Sequence, residues 1–152
     1  MTVDTIKNGI VIDHITAGLG MKIYSLLKLD ELDCQVALIK NAPSKKMGKK
    51  DIIKIDAAIN LNTDVLGYVD PDVTVNIIKD GNLVEKKQVE LPEKLENVIV
   101  CRNPRCITTT EQELPQVFTL TDKENRVYRC IYCESKAKLF LRSNCYVPKN
   151  RF

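Results

Sequence analysis

The chain contains no tryptophan, only 5% aromatic residues and a single histidine, so its cores must be largely aliphatic. No apolar run approaches the roughly 20 residues that a membrane-spanning helix needs, and the N-terminus has no signal-peptide pattern. The sequence also lacks a GxSxG motif, a P-loop and a GxGxxG motif after a strand. These absences predict a non-catalytic protein of the cytoplasm that has no membrane partner. An enzyme whose site cannot be recognised from residue spacing is the alternative.

Arginine is absent from residues 1–97, where 13 lysines stand against 15 acidic residues for a net charge of −2. All six arginines lie in residues 98–152, where they and four lysines stand against five acidic residues for a net charge of +5. A basic surface of this kind could meet nucleic acid, and it could equally meet an acidic protein surface. The charge pattern leaves both partners open.

Cysteine is well represented, and four of the six cysteines form two closely spaced pairs. The pairs are Cys101 with Cys106 and Cys130 with Cys133. Each pair forms a short turn, here called a knuckle, and the thiolates of two such knuckles suit tetrahedral zinc. Cysteines this close together are poorly placed to stabilise a fold by disulfide bonds. Because four thiolates leave no open coordination position, we predict one structural zinc ion per chain. Cys34 and Cys145 are expected to be small buried side chains.

Two domains are predicted, residues 1–97 and 98–152, because residues 91–97 form a charged connector without a strand pattern. The first domain has the order β-α-β-β-α-β with a hairpin at Asp80-Gly81. This order predicts an α+β fold, a ferredoxin-like α/β sandwich that dimerises through apolar surface it leaves open. The second should be a small all-β domain of the zinc-ribbon or rubredoxin-like kind, stabilised by its metal. The predicted strands are residues 9–15, 34–39 (ended by residues 41–44), 51–55, 73–78, 83–89, 117–121, 126–129 and 138–142, with helices at 18–28 and about 62–70.

Two groups of polar residues in the first domain have both structural and functional interpretations. Asp13-His14 follows an apolar strand and is either a satisfied pair at a strand end or a pair that contacts a sugar or phosphate. Alternation places the two side chains on opposite faces unless the backbone turns there. The lysines between residues 45 and 54 form either a solvated loop or an anion site. In the second case Lys50, Lys54 and Lys86 would meet a polyphosphate, and Asn76 would hydrogen-bond a base.

The basic and aromatic residues around the cysteine pairs also have two interpretations. They could contact nucleic acid, as the loops of zinc ribbons often do, or they could form a protein interface. The candidates are Arg102, Arg105, Tyr128, Arg129 and Tyr132.

Several motifs together resemble the regulatory chain of aspartate carbamoyltransferase. They are GIVIDHI at residues 9–15, PS at 43–44 with MGKKD at 47–51, IKI at 53–55, TVN at 74–76, LPE at 91–93, and the two cysteine knuckles followed by Glu134. The resemblance runs in order across nearly the whole chain, as far as Glu134. It implies a non-catalytic subunit whose first domain binds nucleotide effectors, typically CTP and ATP, and dimerises. Its zinc domain holds the catalytic chain of this enzyme of pyrimidine biosynthesis.

The resemblance also implies roles for individual residues. In the family an aspartate and one lysine contact the ribose, the histidine and other lysines contact phosphates, and backbone groups contact the base. The nucleotide site maps onto Val3, Asp4, Thr5, Ile6, Val11, Asp13, His14, Lys50, Lys54, Asn76, Ile78 and Lys86. The zinc ligands map onto Cys101, Cys106, Cys130 and Cys133, and the contact with the catalytic chain maps onto Asn103, Tyr132 and Glu134. The competing hypothesis is a zinc-ribbon protein that binds nucleic acid, a partner that the resemblance does not favour.

Overall fold

A computed structural model describes residues 5–137 of the chain. Its helices are α1 Gly20–Leu26 and α2 Thr63–Val69, and short 3-10 turns occupy Leu29–Glu31 and Ile107–Thr109. Its strands are β1 Gly9–Thr16, β2 Val36–Ser44, β3 Gly48–Ile55, β4 Thr74–Lys79, β5 Asn82–Gln88, β6 Lys94–Glu96, β7 Val117–Asp122 and β8 Val127–Cys130. The predictions for Val3, Asp4, Cys145 and a strand at residues 138–142 lie outside the described residues.

The first sheet is antiparallel with the strand order β2-β3-β1-β4-β5. This arrangement confirms the predicted ferredoxin-like α+β class, and β5 extends the sheet as a fifth strand at its edge. The β4–β5 hairpin turns at Asp80 and Gly81, whose φ angles of 53° and 78° are those of a type I′ turn. The Asp-Gly pair therefore sets this turn as the sequence predicts.

Side-chain alternation gives the first sheet one covered and one open face. Ile10 and Ile12 of β1 are buried with Ile53 of β3, and the same cluster includes Ile23 of α1 and Leu66 of α2. The helices therefore cover this face. The opposite face is called the open face, and it carries Val11, Asp13, Lys50, Lys54, Asn76, Ile78 and Lys86.

The second strand is longer than the sequence pattern predicts. Residues 41–44 were expected to end it, but β2 continues through Ser44 past a register shift between Ile39 and Ala42. Asn41 sits in this irregularity with a φ of 57°, and its N–H donates to the Asp51 carboxylate at 3.0 Å. Since β2 is an edge strand, Pro43 can join it without breaking a ladder.

The second sheet has the order β6-β7-β8 and begins inside the segment that was expected to be a connector. Lys94, Leu95 and Glu96 pair with β7, and Leu95 is completely buried. The prediction of a strandless connector across residues 91–97 was therefore wrong for this part. Its charged residues at 94 and 96 are both exposed, so only one apolar residue marks the strand in the sequence.

The two sheets share one continuous apolar core. Tyr68 of α2 meets Tyr128 of β8 edge to face, with ring centroids 5.2 Å apart, and the Tyr128 hydroxyl donates to the Pro92 carbonyl. Burial raises the pKa of Tyr68 to about 12, although the Arg102 guanidinium opposes the shift. In residues 5–137, every helix is too short or too polar to cross a membrane.

Candidate functional site

The four cysteines of the two knuckles converge on one point. Their sulfur atoms all lie within 4.8 Å of one another, and three of the four residues are buried. Cys101 and Cys106 flank a turn held by the Cys106 N–H donating to the Asn103 carbonyl at 3.0 Å. Cys130 ends β8, and the turn after it brings Cys133 back. Local turns thus produce the cluster that the spacing predicts.

The sulfur separations fit a tetrahedral zinc ion. Cys101 Sγ lies 3.5 Å from Cys133 Sγ, and Cys106 Sγ lies 3.8 Å from Cys130 Sγ. Tetrahedral ligands at the usual Zn–S distance are about 3.8 Å apart, whereas a disulfide requires about 2.05 Å. The cluster therefore fits one structural zinc ion, which would stabilise the fold around it.

The surroundings of the cluster favour the thiolate at some positions and oppose it at others. The Thr108 hydroxyl donates to Cys106 Sγ at 3.1 Å. Burial raises the pKa of Cys101 to about 12. Burial also acts to raise the pKa of Cys133, but hydrogen bonds from Ser135, Asn103 and Cys101 outweigh it and bring the value to about 6. Such a mixed set of buried thiols becomes fully ionised only with a compensating positive charge.

The residues predicted to meet the catalytic chain lie around this cluster. Asn103 donates to the Ser135 hydroxyl at 3.1 Å, and Tyr132 donates to the Pro115 carbonyl at 3.0 Å. Glu134 is exposed in a left-handed conformation with a φ of 62°. The structure adds Ile131, which exposes 47% of its surface beside Tyr132. Spacing could not identify Ile131 because an apolar residue in a knuckle gives no sign of its exposure.

Four strands align candidate nucleotide contacts in one row across the open face. Lys54 of β3 pairs with Val11 of β1, Val11 pairs with Asn76 of β4, and Asn76 pairs with Lys86 of β5. Paired residues on neighbouring strands project to the same side. Two lysines therefore flank an amide on a single surface.

Asn76 carries an unsatisfied acceptor in this row. Its Oδ1 is buried, and no group in residues 5–137 donates a hydrogen bond to it. An orphaned buried acceptor costs about 1–3 kcal/mol. A ligand that brings a donor to this point would remove that cost.

Asp13 and Lys50 form an ion pair at one end of the open face. Lys50 Nζ lies 2.9 Å from Asp13 Oδ1, and the backbone N–H of His14 donates to the same carboxylate at 2.6 Å. Burial acts to raise the pKa of Asp13, but the hydrogen bonds and the Lys50 charge outweigh it and hold the pKa below its usual range. Asp13 is therefore an ionised acceptor at neutral pH.

The backbone turns at His14, which lets it share a face with Asp13. His14 has a φ of 58° and lies in the β1 irregularity between Ile12 and Ile15. Its Nδ1 lies 3.4 Å from the Thr74 hydroxyl. Thr74 is paired with Asp13 and projects to the open face. Strict alternation would separate the two side chains, and the irregularity is the turn that a shared site requires.

The segment before β1 runs beside the hairpin tip. The Gly81 N–H donates to the Lys7 carbonyl at 2.9 Å, which holds the segment that follows Thr5 and Ile6 against the hairpin tip. Leu83 pairs with Ile78 and is 58% exposed, an apolar position beside the site that the sequence reasoning missed. The register shift in this hairpin decides which way Leu83 projects, and the sequence gives no sign of that shift.

Cys34 and Cys145 are the two cysteines outside the cluster. Cys34 is partly buried and packs against the edge of the core, so the prediction of a buried side chain overstated its burial. Cys145 lies outside the described residues.

Comparison with protein families matches the two units separately. A family model described as the allosteric domain of the aspartate carbamoyltransferase regulatory chain matches residues 1–90. A second, described as the metal binding domain of the same chain, matches residues 93–139.

Individual relatives are similar over most of the chain. Aspartate carbamoyltransferase regulatory chains from Clostridium botulinum are 53% identical over 134 residues, which cover 88% of this chain and 92% of theirs. The chain of this name from Clostridium tetani is 51% identical over 140 residues, covering 91% and 97%. The one from Bifidobacterium longum is 48% identical over 139 residues, covering 91% and 100%.

Proposed function

This chain belongs to the family of aspartate carbamoyltransferase regulatory chains. We therefore propose that it binds nucleotide effectors on its open face and relays their effect to the catalytic chain. As a regulatory chain it is the non-catalytic subunit of an enzyme of pyrimidine biosynthesis, and its partner is a catalytic chain. Membership of this family confirms the resemblance seen in the sequence and does not favour the nucleic-acid hypothesis. The effectors we propose are nucleoside triphosphates, namely CTP and ATP.

The row of Lys54, Asn76 and Lys86 carries this proposal. It joins two cationic side chains to a buried acceptor for which residues 5–137 supply no donor. We assign the lysines to phosphate and ribose oxygens, with which an ammonium group interacts as a point charge. The exocyclic amino group of cytosine or adenine is the donor that would satisfy Asn76 Oδ1. At the far end of the face, Asp13 would accept from the ribose and His14 would meet phosphate.

The test is calorimetric titration of the zinc-loaded chain with CTP, ATP and UTP. Lys86→Ala should weaken binding by about 1–3 kcal/mol, the range for a hydrogen bond to a charged group. Lys87→Ala is a matched control because Lys87 pairs with Val75 on the covered side of the sheet. Equal loss in both variants would indicate a general charge effect and would contradict the site.

A second variant tests the base contact. Asn76→Ala removes the acceptor, so it should weaken CTP and ATP more than UTP, whose base lacks the exocyclic amino group. A uniform loss for all three nucleotides would remove Asn76 from base recognition. Kinetics of the complex with its catalytic chain then show whether the bound nucleotide changes activity.

We propose that the surface beside the zinc cluster holds the catalytic chain. Its support is the exposed apolar side chain of Ile131 in the same knuckle as Tyr132 and Glu134, with Asn103 in the other knuckle of the cluster. Exposed apolar groups with a polar rim are typical of protein interfaces. Ile131→Asp should abolish assembly in sedimentation velocity, whereas Val84→Asp, at a site 61% exposed on β5, should assemble normally. Normal assembly of Ile131→Asp would place the interface elsewhere.

We also propose that the first unit dimerises along the β2 edge. Both β2 and β5 are edge strands, but the charges of Glu85, Lys86 and Lys87 blunt the β5 edge. The β2 edge presents half-buried Ala37 and Ile39 on the open side. A proline at position 39 should shift the zinc-loaded chain from dimer to monomer in sedimentation equilibrium, while a proline at the hairpin position 82 should not.

The proposed domain boundary and location follow from the same residues. We propose that the effector domain ends before Lys94, rather than at residue 97, because β6 pairs with β7 in the second sheet. The zinc domain then occupies the remainder. A cytoplasmic location is proposed because thiolate ligands persist in a reducing compartment.

A further inference from the structure

Asp70 is a buried acid that lies outside the row of nucleotide contacts. It is only 2% exposed and caps the end of α2, its N–H donating to the Leu66 carbonyl at 2.8 Å. Its carboxylate accepts the Thr16 N–H at 2.8 Å and the Asp72 N–H at 3.1 Å. Burying a carboxylate is expensive unless its hydrogen bonds are made. The partner it reaches across the fold, Thr16, stands two residues after His14.

His14 needs such external support. A non-glycine residue in the left-handed region is strained and persists only where its surroundings enforce it. Two contacts enforce it here, one from Asp70 to the backbone of Thr16 and one from the Thr74 hydroxyl to the His14 ring. Asp70 caps α2 and Thr74 begins β4, so the two contacts come from opposite ends of the short connection between these elements. The Asp72 N–H that donates to the Asp70 carboxylate closes the turn that leads from one contact to the other.

We propose that Asp70 is a positioning residue for the effector site, holding His14 where it can meet an effector phosphate. The inference rests on the proposed function. Asp70 is enclosed at the end of α2 and acts through the backbone of Thr16 and through Thr74, without touching the effector itself. Its removal should therefore affect the phosphate-dependent part of binding and leave the base contact at Asn76 unchanged.

The histidine itself gives a direct readout, because the chain contains only one. Its ring C2–H resonance is unambiguous in the NMR spectrum of the zinc-loaded full chain. In Asp70→Asn we expect this resonance to move and the nuclear Overhauser contact between His14 and Thr74 to disappear. Asp72→Asn is the control, since Asp72 is exposed and contributes only its backbone N–H to the turn. It should leave the resonance where it is.

Binding is measured on the same samples with CTP and with cytidine. Asp70→Asn should weaken CTP about tenfold and leave cytidine within twofold of wild type. Thr74→Val, which keeps the side-chain shape and removes the hydroxyl, should act in the same direction less strongly. This variant keeps the inference testable if Asp70→Asn does not fold.

The outcomes separate the inference from the proposed function. An unchanged histidine resonance together with wild-type CTP affinity in the variants would overturn the positioning role while the nucleotide site stands. Equal weakening of CTP binding and cytidine binding would show that Asp70 has only a structural role, and it would also overturn the positioning role. A wild-type chain that binds neither CTP nor ATP would overturn the proposed function and with it the effector role of Asp70. Loss of CTP affinity with the predicted change at His14 supports both.

Discussion

At the level of single residues, two buried carboxylates hold the loop that leads from β1 into α1. Asp51 is completely buried, and its carboxylate accepts N–H groups from Gly18, Gly20 and Asn41 at 3.0–3.1 Å. Asp70 holds Thr16, the last residue of β1, just before this loop. Together these hydrogen bonds fix the backbone of the glycine-rich stretch that follows Asp13 and His14.

Asp51→Ala should destabilise the first unit by at least about 3 kcal/mol, since three backbone donors lose their partner and each unsatisfied donor costs about 1–3 kcal/mol. Urea unfolding followed by far-ultraviolet circular dichroism measures the change. Asp56→Ala, at an exposed residue just after β3, should cost less than about 0.5 kcal/mol. Similar midpoints for the two variants would show that the Asp51 bonds contribute little.

Asp13 should make stability depend on pH in the acid range. Its pKa in the folded chain lies below the usual value, so the ion pair with Lys50 stabilises the fold fully above about pH 4. This contribution is lost as the pH falls through the lowered pKa. Asp13→Asn should therefore show a smaller decline in stability between about pH 4 and pH 2 than wild type. Parallel declines in denaturant midpoint would contradict the pairing.

At the level of elements, α2 connects three parts of the molecule. Its C-terminal cap hydrogen-bonds β1 beside the open face, Tyr68 meets the zinc unit, and Gly67 faces the segment between the sheets. A Cβ added at Gly67 would lie 1.9 Å from the Glu90 carbonyl oxygen. The helix can approach this segment only because position 67 has no side chain.

Gly67→Ala should therefore destabilise the chain, by about 1–3 kcal/mol from overpacking. The sign of this stability change is diagnostic, because replacing glycine with alanine inside an unhindered helix stabilises the helix by about 1 kcal/mol. Thermal unfolding of Gly67→Ala beside Asp64→Ala, an exposed position on the same helix, measures the difference. A higher midpoint for Gly67→Ala would show that α2 and the segment at Glu90 separate easily.

Elements with strong local signals could be predicted from the sequence, and those set by distant partners could not. The Asp80-Gly81 turn and the cysteine knuckles depend on residues adjacent in the chain. Strand β6 forms because β7 offers it a partner. The irregularity at Asn41 is held by the Asp51 carboxylate of the neighbouring strand, and the backbone just after His14 is held by the Asp70 carboxylate, 54 residues from Thr16 in sequence.

At the level of the whole molecule, the cysteine cluster and the shared core join the two units. Tyr128 and Cys130 are two residues apart on β8 and project to the same side. The ring that touches α2 and a proposed zinc ligand therefore sit on one short strand. Whatever disturbs the cluster must also disturb the contact between Tyr128 and Tyr68.

Removal of zinc should unfold the second unit and leave the first folded. Zinc binding to structural thiolate sites is worth about 10–16 kcal/mol in small domains, more than their cores supply. Hydrogen exchange after treatment with a chelator should show rapid exchange across residues 94–137 and continued protection in β1, β3 and β4. Cys130→Ser should behave in the same way. Protection of β7 without zinc would show that the apolar core suffices.

The row of side chains across four strands restricts how the gene can change. Side chains alternate between the two faces of a sheet, and Lys54, Asn76 and Lys86 share a face only because each stands at a position that points to the open side. Inserting or deleting one codon within such a strand would turn its following side chains to the opposite face. If the row binds the proposed effectors, descendants of this chain can alter effector preference by substitution within it, and we expect their differences in length to fall in the loops between strands.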